Sequence, residues 1–165
     1  MDFKDIDQIK KAGFSGFIKM SDLLRSNAII PDIRGVYFVL YLSSNKPNFL
    51  KIGTGGHFKG KNPNVSIEEL NQNWVPDATV VYMGKAGGED SNATLRSRLN
   101  QYLKFGQGKN IGHYGGRLIW QIEKSEELVI CWKPLPNDNP RKIESEFIQD
   151  FISIYGQRPF ANLTD

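Results

Sequence analysis

Apolar residues recur at helical spacing in some stretches of the chain and in short unbroken runs in others, and the two patterns set the expected elements. Phe3, Ile6 and Ile9 repeat every three residues, which predicts a short helix over residues 2–12. Ser21 is placed to cap a second short helix through Leu24, which must end before Pro31. Residues 35–43 are rich in valine, tyrosine and phenylalanine and apolar throughout, the pattern of a central strand. A turn at 44–47 would let residues 48–52 pair with it. Ser66 and Glu69 form a capping-box pattern for a helix ending before Trp74. Residues 79–83 read as the next strand. Ser91 can cap a helix carrying Leu95, Leu99, Tyr102 and Leu103, which the run Phe105-Gly106-Gln107-Gly108 ends. Residues 118–122 and 128–132 read as strands on either side of a turn at 124–126. Ile143, Phe147, Ile148, Phe151, Ile152 and Tyr155 make the apolar stripe of a final helix, stopped by Gly156. With no internal repeat or linker, this order predicts one α+β domain over residues 1–165. Its sheet is small and mainly antiparallel and is flanked by helices.

Composition narrows the partners. A chain of 165 residues can bury a real core, and 39% apolar with 24% charged residues is ordinary for a soluble globule. The net charge of +3 permits nucleic acid as a partner without requiring it. The single cysteine, Cys131, stands between Ile130 and Trp132, so no disulfide forms within the chain and a buried small hydrophobe is expected. The N-terminus lacks the apolar segment of a signal peptide, and the longest apolar run, residues 36–42, falls far short of a membrane span. The expectation is a cytoplasmic protein with no membrane partner.

The chemistry concentrates around residues 81–88, where an apolar strand runs into glycines and Lys85 and then towards a helix. Such a junction exposes backbone amides and a cation to an anion. The helix that follows carries Arg98 and, one turn on, Tyr102, so a permanent cation and a phenol share a face. A glycine-rich loop over residues 53–63 adds Lys59 and Lys61, with Lys51 just before it. Such a loop can follow a phosphate backbone, although it lacks the spacing and hydroxyl residue of a P-loop.

These pieces resemble the GIY-YIG nuclease superfamily. Gly35-Val36-Tyr37 is similar to its first half-motif, and Tyr82-Met83-Gly84-Lys85-Ala86 to its second. Arg98 and Tyr102 stand where the family has an arginine followed by a tyrosine or histidine. Glu144-Ser145-Glu146-Phe147-Ile148 is similar to its glutamate helix, and Arg158-Pro159-Phe160-Ala161-Asn162 to its ending. The match runs from residue 35 to 162 and leaves 1–34 as an N-terminal helical extension. Valine and methionine replace isoleucine in the half-motifs, swaps that packing tolerates. Longer spacings mark insertions at 43–78 and 105–117.

The resemblance implies a metal-dependent endonuclease acting on DNA, with RNA the other candidate polymer. Catalytic candidates are Tyr37, Tyr82, Lys85, Arg98, Tyr102, Glu144 and Asn162. Glu144 would hold one Mg²⁺ (or Mn²⁺), Arg98 the scissile phosphate, and Tyr102 a phosphate oxygen. Tyr37 is assigned as general base and Tyr82 as the positioning group, with the two exchangeable. Nearby Lys85, Arg98 and metal would favour the phenolate. Asn162 would tie the site down by hydrogen bonds. Lys51, Lys59, Lys61 and Arg117 are the nucleic-acid-binding candidates. His113 is open between proton transfer and a structural or DNA-contacting role. The rival reading is an inactive nucleic-acid-binding module on the same fold.

Overall fold

The unbroken apolar run at residues 35–40 is an inner strand, and the rest of the molecule is layered on it. A computed structural model describes residues 1–164; Asp165 lies outside the described residues. In chain order the elements are α1 (Ile6–Lys11), β1 (Ser15–Lys19), α2 (Met20–Arg25), β2 (Gly35–Leu40) and α3 (Ile67–Asn73). They continue with β3 (Val80–Ala86), α4 (Leu95–Gly106), β4 (Val129–Pro134) and α5 (Pro140–Tyr155). The strands form one antiparallel sheet in the order β1-β4-β2-β3. Every residue of β2 is buried, because helices cover both faces of the sheet and no polar alternation is needed.

Each face has its own apolar cluster. Tyr37 and Val39 of β2 turn to the side of α2, α3 and α4, where Leu23, Leu70, Leu95 and Leu99 pack with Trp120 and Trp132. Val36 and Phe38 turn to the side of α1 and α5, against Phe3, Ile9, Ile148 and Phe151. There Phe14 stacks on Phe38 with ring centres 4.2 Å apart, and Phe147 meets Phe38 edge-on at 5.3 Å. Burying one such ring contributes roughly 1.5–3 kcal/mol. Cys131 is a buried free thiol in this second cluster.

Several sequence expectations need correction. The N-terminal segment is not only helical: residues 15–19 form β1, an edge strand. Its register breaks between Gly16 and Ile18, with Phe17 at φ 58°, so no alternating pattern marks it. Ser21 does not cap α2, which begins at Met20 after Lys19 without a side-chain cap bond. Thr94, not Ser91, caps α4, exchanging bonds with Ser97 in a reciprocal capping box. Ser66 does cap α3, accepting from the Glu69 amide. Residues 48–52 do not pair with β2; only Phe49 makes a bridge, and its partner is Ile122.

Residues 117–121 form a 3-10 turn rather than a strand, and Leu118, Ile119, Trp120 and Gln121 are all buried. A short apolar run has no periodicity that separates a buried turn from a buried strand. Gln121 anchors the first insertion to this turn. Its Nε2 donates to the carbonyls of Leu50 and Val65 at 3.0 and 2.9 Å, and its Oε1 accepts from the Val65 amide at 2.9 Å.

No helix among the described residues is long and apolar enough to cross a membrane.

Candidate active site

A cleft of about 740 Å³ opens at the C-terminal end of β3, an edge strand, where residues from six parts of the chain meet. Tyr37 comes from β2, Tyr82 and Lys85 from β3, Arg98 from α4, Glu144 from α5 and Asn162 from the C-terminal tail. Arg117 lines the same cleft from the second insertion.

The register of β2 and β3 places the phenols. Tyr37 stands opposite Gly84, and Val39 opposite Tyr82, so both tyrosines lie on the α4 face of the sheet. Their ring centres are 6.1 Å apart at an interplanar angle of 67°. The Tyr37 ring lies flat against Gly84, and a Cβ there would run into the ring carbons and hydroxyl. Gly116, at φ 72°, gives the Tyr82 ring its place in the same way: a Cβ would come within 2.7 Å of Cε1. Lys85 is half-buried within β3, which runs on through Ala86, so the glycine turn begins at Gly87 and not at Gly84.

Burial dominates the electrostatics of the phenols. Tyr37 is 1% exposed and Tyr82 8%. Burial holds the Tyr37 hydroxyl well above the ordinary tyrosine range, and the neighbouring Tyr82 pushes the same way against the pull of Arg98. Tyr82 is pushed up to about 12, by burial first and Glu144 second, with Arg98 opposing. In the protein by itself desolvation outweighs the pull of Arg98, and both phenols stay protonated. Burial and the neighbouring phenol weigh more heavily on Tyr37, so Tyr82 is the easier of the two to ionise. Tyr82 is also the more exposed, so the assignment of Tyr37 as the base and Tyr82 as its helper is better reversed.

Asn162 is buried and fully engaged. Its Oδ1 accepts from the Met83 amide and its Nδ2 donates to the Met83 carbonyl, both at 2.9 Å. The Ala161 amide bonds the Val81 carbonyl at 2.9 Å. The tail thus closes the outer edge of β3 beneath the site, and Asn162 positions rather than reacts.

Tyr102 does not reach the cleft. It is fully buried behind the other two tyrosines and donates its hydroxyl to the Gly116 carbonyl at 3.1 Å. A contact with substrate phosphate is corrected to a packing role. His113 is buried too, tilted against Tyr102 with ring centres 4.5 Å apart, and neither ring nitrogen has a hydrogen-bond partner. Burial, helped by Arg98, lowers its pKa to about 3, so it is neutral and no proton shuttle at ordinary pH.

Of the cationic candidates, only Arg117 lines the cleft; Lys51, Lys59 and Lys61 lie outside its lining, all exposed. Lys61 stays near it, 5.6 Å from the ring centre of Tyr114, a residue that does line the cleft. Arg96, on the same helix as Arg98, donates to the carbonyls of Ile30 and Ala28 and braces that loop. Glu146 faces away, 4.0 Å from Lys142.

Sequence reasoning missed Arg141, Ser145 and Tyr114, all of which line the cleft. Arg141 and Ser145 could have been found, since they lie three residues before and one after Glu144 on one helix, with i, i+3 and i, i+4 spacing across the group. Tyr114 carried no such signal. Among the described residues the lining thus holds four cations, Lys85, Arg98, Arg117 and Arg141, against one carboxylate, Glu144. No cluster of three or more histidine, cysteine or acidic residues able to hold a metal exists among the described residues. One half-buried carboxylate does not suit zinc, which takes three or four protein ligands. It does suit magnesium, which keeps most of its waters and accepts substrate phosphate oxygens.

Comparison of the chain with family models, with curated proteins and with solved structures finds no match.

Proposed function

We propose that the protein is a metal-dependent endonuclease of the GIY-YIG type that hydrolyses phosphodiester bonds in DNA. The observation that carries this reading is the convergence, among the described residues, of two neighbouring phenols, four cations and one carboxylate in one open cleft. Structural tyrosine pairs are common in sheets, but a plain core does not gather four cations around them.

In this reading Arg98 grips the scissile phosphate through its fixed fork of donors. Lys85 and Arg141 neutralise the neighbouring oxygens. Tyr82 first gives its own proton to bulk solvent, and the resulting phenolate accepts the proton of the attacking water and returns to the neutral phenol. The water oxygen bonds to phosphorus, the phosphorus–oxygen bond on the far side breaks, and the leaving oxygen takes a proton from water. Glu144 would hold the Mg²⁺ (or Mn²⁺), which supplies charge stabilisation to the transferring phosphoryl group when bound.

One observation favours the second reading, a nucleic-acid-binding module without catalysis: both phenols are held protonated in the protein alone. Plasmid nicking in Mg²⁺ separates the two. The wild type should convert supercoiled plasmid to the open circle, and Glu144→Gln should lose at least a hundredfold in rate with an unchanged circular dichroism spectrum. Equal rates for the two proteins, or no cleavage by either of the plasmid or of a single-stranded DNA circle, would remove the nuclease reading.

A further inference from the structure

The two insertions meet at the cleft and build a feature that phosphate hydrolysis alone does not need. The His57 amide donates to Asn110 Oδ1 at 3.1 Å, and the Tyr114 hydroxyl to the Asn62 carbonyl at 3.0 Å, so residues 56–62 and 110–117 form one ridge. Tyr114 stands on it, half-buried and facing the cleft. The Arg117 guanidinium lies 4.1 Å from its ring centre and the Lys61 ammonium 5.6 Å away. Phe58 follows along the ridge with Lys59 at 5.4 Å, and its ring edge touches Gly112. None of the ion pairs among the described residues engages Lys59, Lys61 or Arg117. The Arg117 Nε is buried without a hydrogen-bond acceptor.

Aromatic rings set among uncommitted cations are how proteins hold unpaired nucleotides: bases stack on the rings and phosphates pair with the cations. An intact duplex keeps its bases stacked inside and offers nothing to a ring beside a phosphate site. We propose that the cleft takes an unpaired nucleotide strand, with the base beside the held phosphate stacked on Tyr114 and its flanking phosphates on Arg117 and Lys61. Lys61, exposed and in none of the ion pairs among the described residues, moves from the ring to a phosphate when the base arrives, and Arg117 Nε gains the acceptor it lacks. The inference rests on the cleft holding a phosphodiester, but not on its cutting one.

Binding measured in EDTA tests it apart from catalysis. Fluorescence anisotropy with a labelled 20-nucleotide oligo-dT, the matching duplex and oligo-U should give at least tenfold tighter binding of a single strand than of the duplex. Tyr114→Ala should weaken single-strand binding about tenfold and leave duplex binding alone, whereas Tyr114→Trp should retain it. An oligonucleotide carrying 2-aminopurine should be quenched by the wild type and not by Tyr114→Ala. Preference for oligo-U over oligo-dT assigns the strand as RNA with the stacking intact. Tighter duplex binding, or an unaffected single-strand affinity in a Tyr114→Ala protein with wild-type melting temperature, overturns the inference. Stacking without any cleavage in Mg²⁺ would leave it standing and sink the nuclease reading alone.

Discussion

Gly84 explains how the tyrosine pair is seated. It stands across the ladder from Tyr37, and the absence of a side chain there lets the phenol lie against the strand. Gly84→Ala should therefore destabilise the protein by about 1–3 kcal/mol, the ordinary cost of overpacking. Denaturant melts would measure the loss, and an unchanged midpoint would mean that the ring moves aside freely. His113 makes a second residue-scale prediction. Its pKa, near 6.5 when unfolded, falls to about 3 in the folded protein, so between those values the unfolded chain binds more protons. Its contribution is present in full above about pH 6.5 and is lost as the pH falls towards 3, by on the order of a few kcal/mol. His113→Phe keeps a ring against Tyr102 and removes two unpaired buried nitrogens. It should match or exceed wild-type stability at pH 7.5 and flatten the stability loss between pH 6.5 and 4. A variant with the wild-type acid limb would show that another group controls it.

The edge of β3 is where an element and the site depend on one another. Asn162 gives Met83 the two bonds that a neighbouring strand would otherwise supply, and Tyr82 and Gly84 flank Met83. Asn162→Ala should cost about 2 kcal/mol, from two buried backbone groups left unpaired. It should also speed amide exchange at Met83 while leaving β2 and β4 protected. Uniform acceleration across the sheet would contradict a local role. Asn162 was legible in the sequence as a residue that ties the site down, whereas its partner was not, because nothing local links position 162 to position 83. The helices were legible where an apolar stripe marked them, as in α5, although its start at Pro140, capped by Asn139, lies ahead of the stripe that begins at Ile143. The failures were strand β1, broken by a bulge, and the 3-10 turn at 117–121, buried all round.

Across the whole molecule, charge placement matters more than charge total. The net +3 is modest, yet four cations face one carboxylate in the cleft. A nucleic acid bound there should show a salt dependence set by those side chains. Arg141→Ala should reduce the slope of log affinity against log salt by about 0.7–0.9, the effect of one phosphate contact. Lys51→Ala, outside the cleft lining, should leave it unchanged. A slope that responds to Lys51 and not to Arg141 would put the strand on the first insertion instead.

Helix spacing, the inner apolar strand and the pattern that brings Tyr37, Tyr82, Arg98 and Glu144 under suspicion are all written along the chain. The elements depend on neighbours a few positions apart, whereas the four site residues stood out through a resemblance carried by the order of motifs from residue 35 to 162. Which tyrosine ionises more easily, that Tyr102 is walled off, that Arg141 and Tyr114 join the cleft and that Lys51 does not are matters of burial and distance between remote segments. Desolvation and edge pairing exist only once those segments meet, so the folded chain alone decides them.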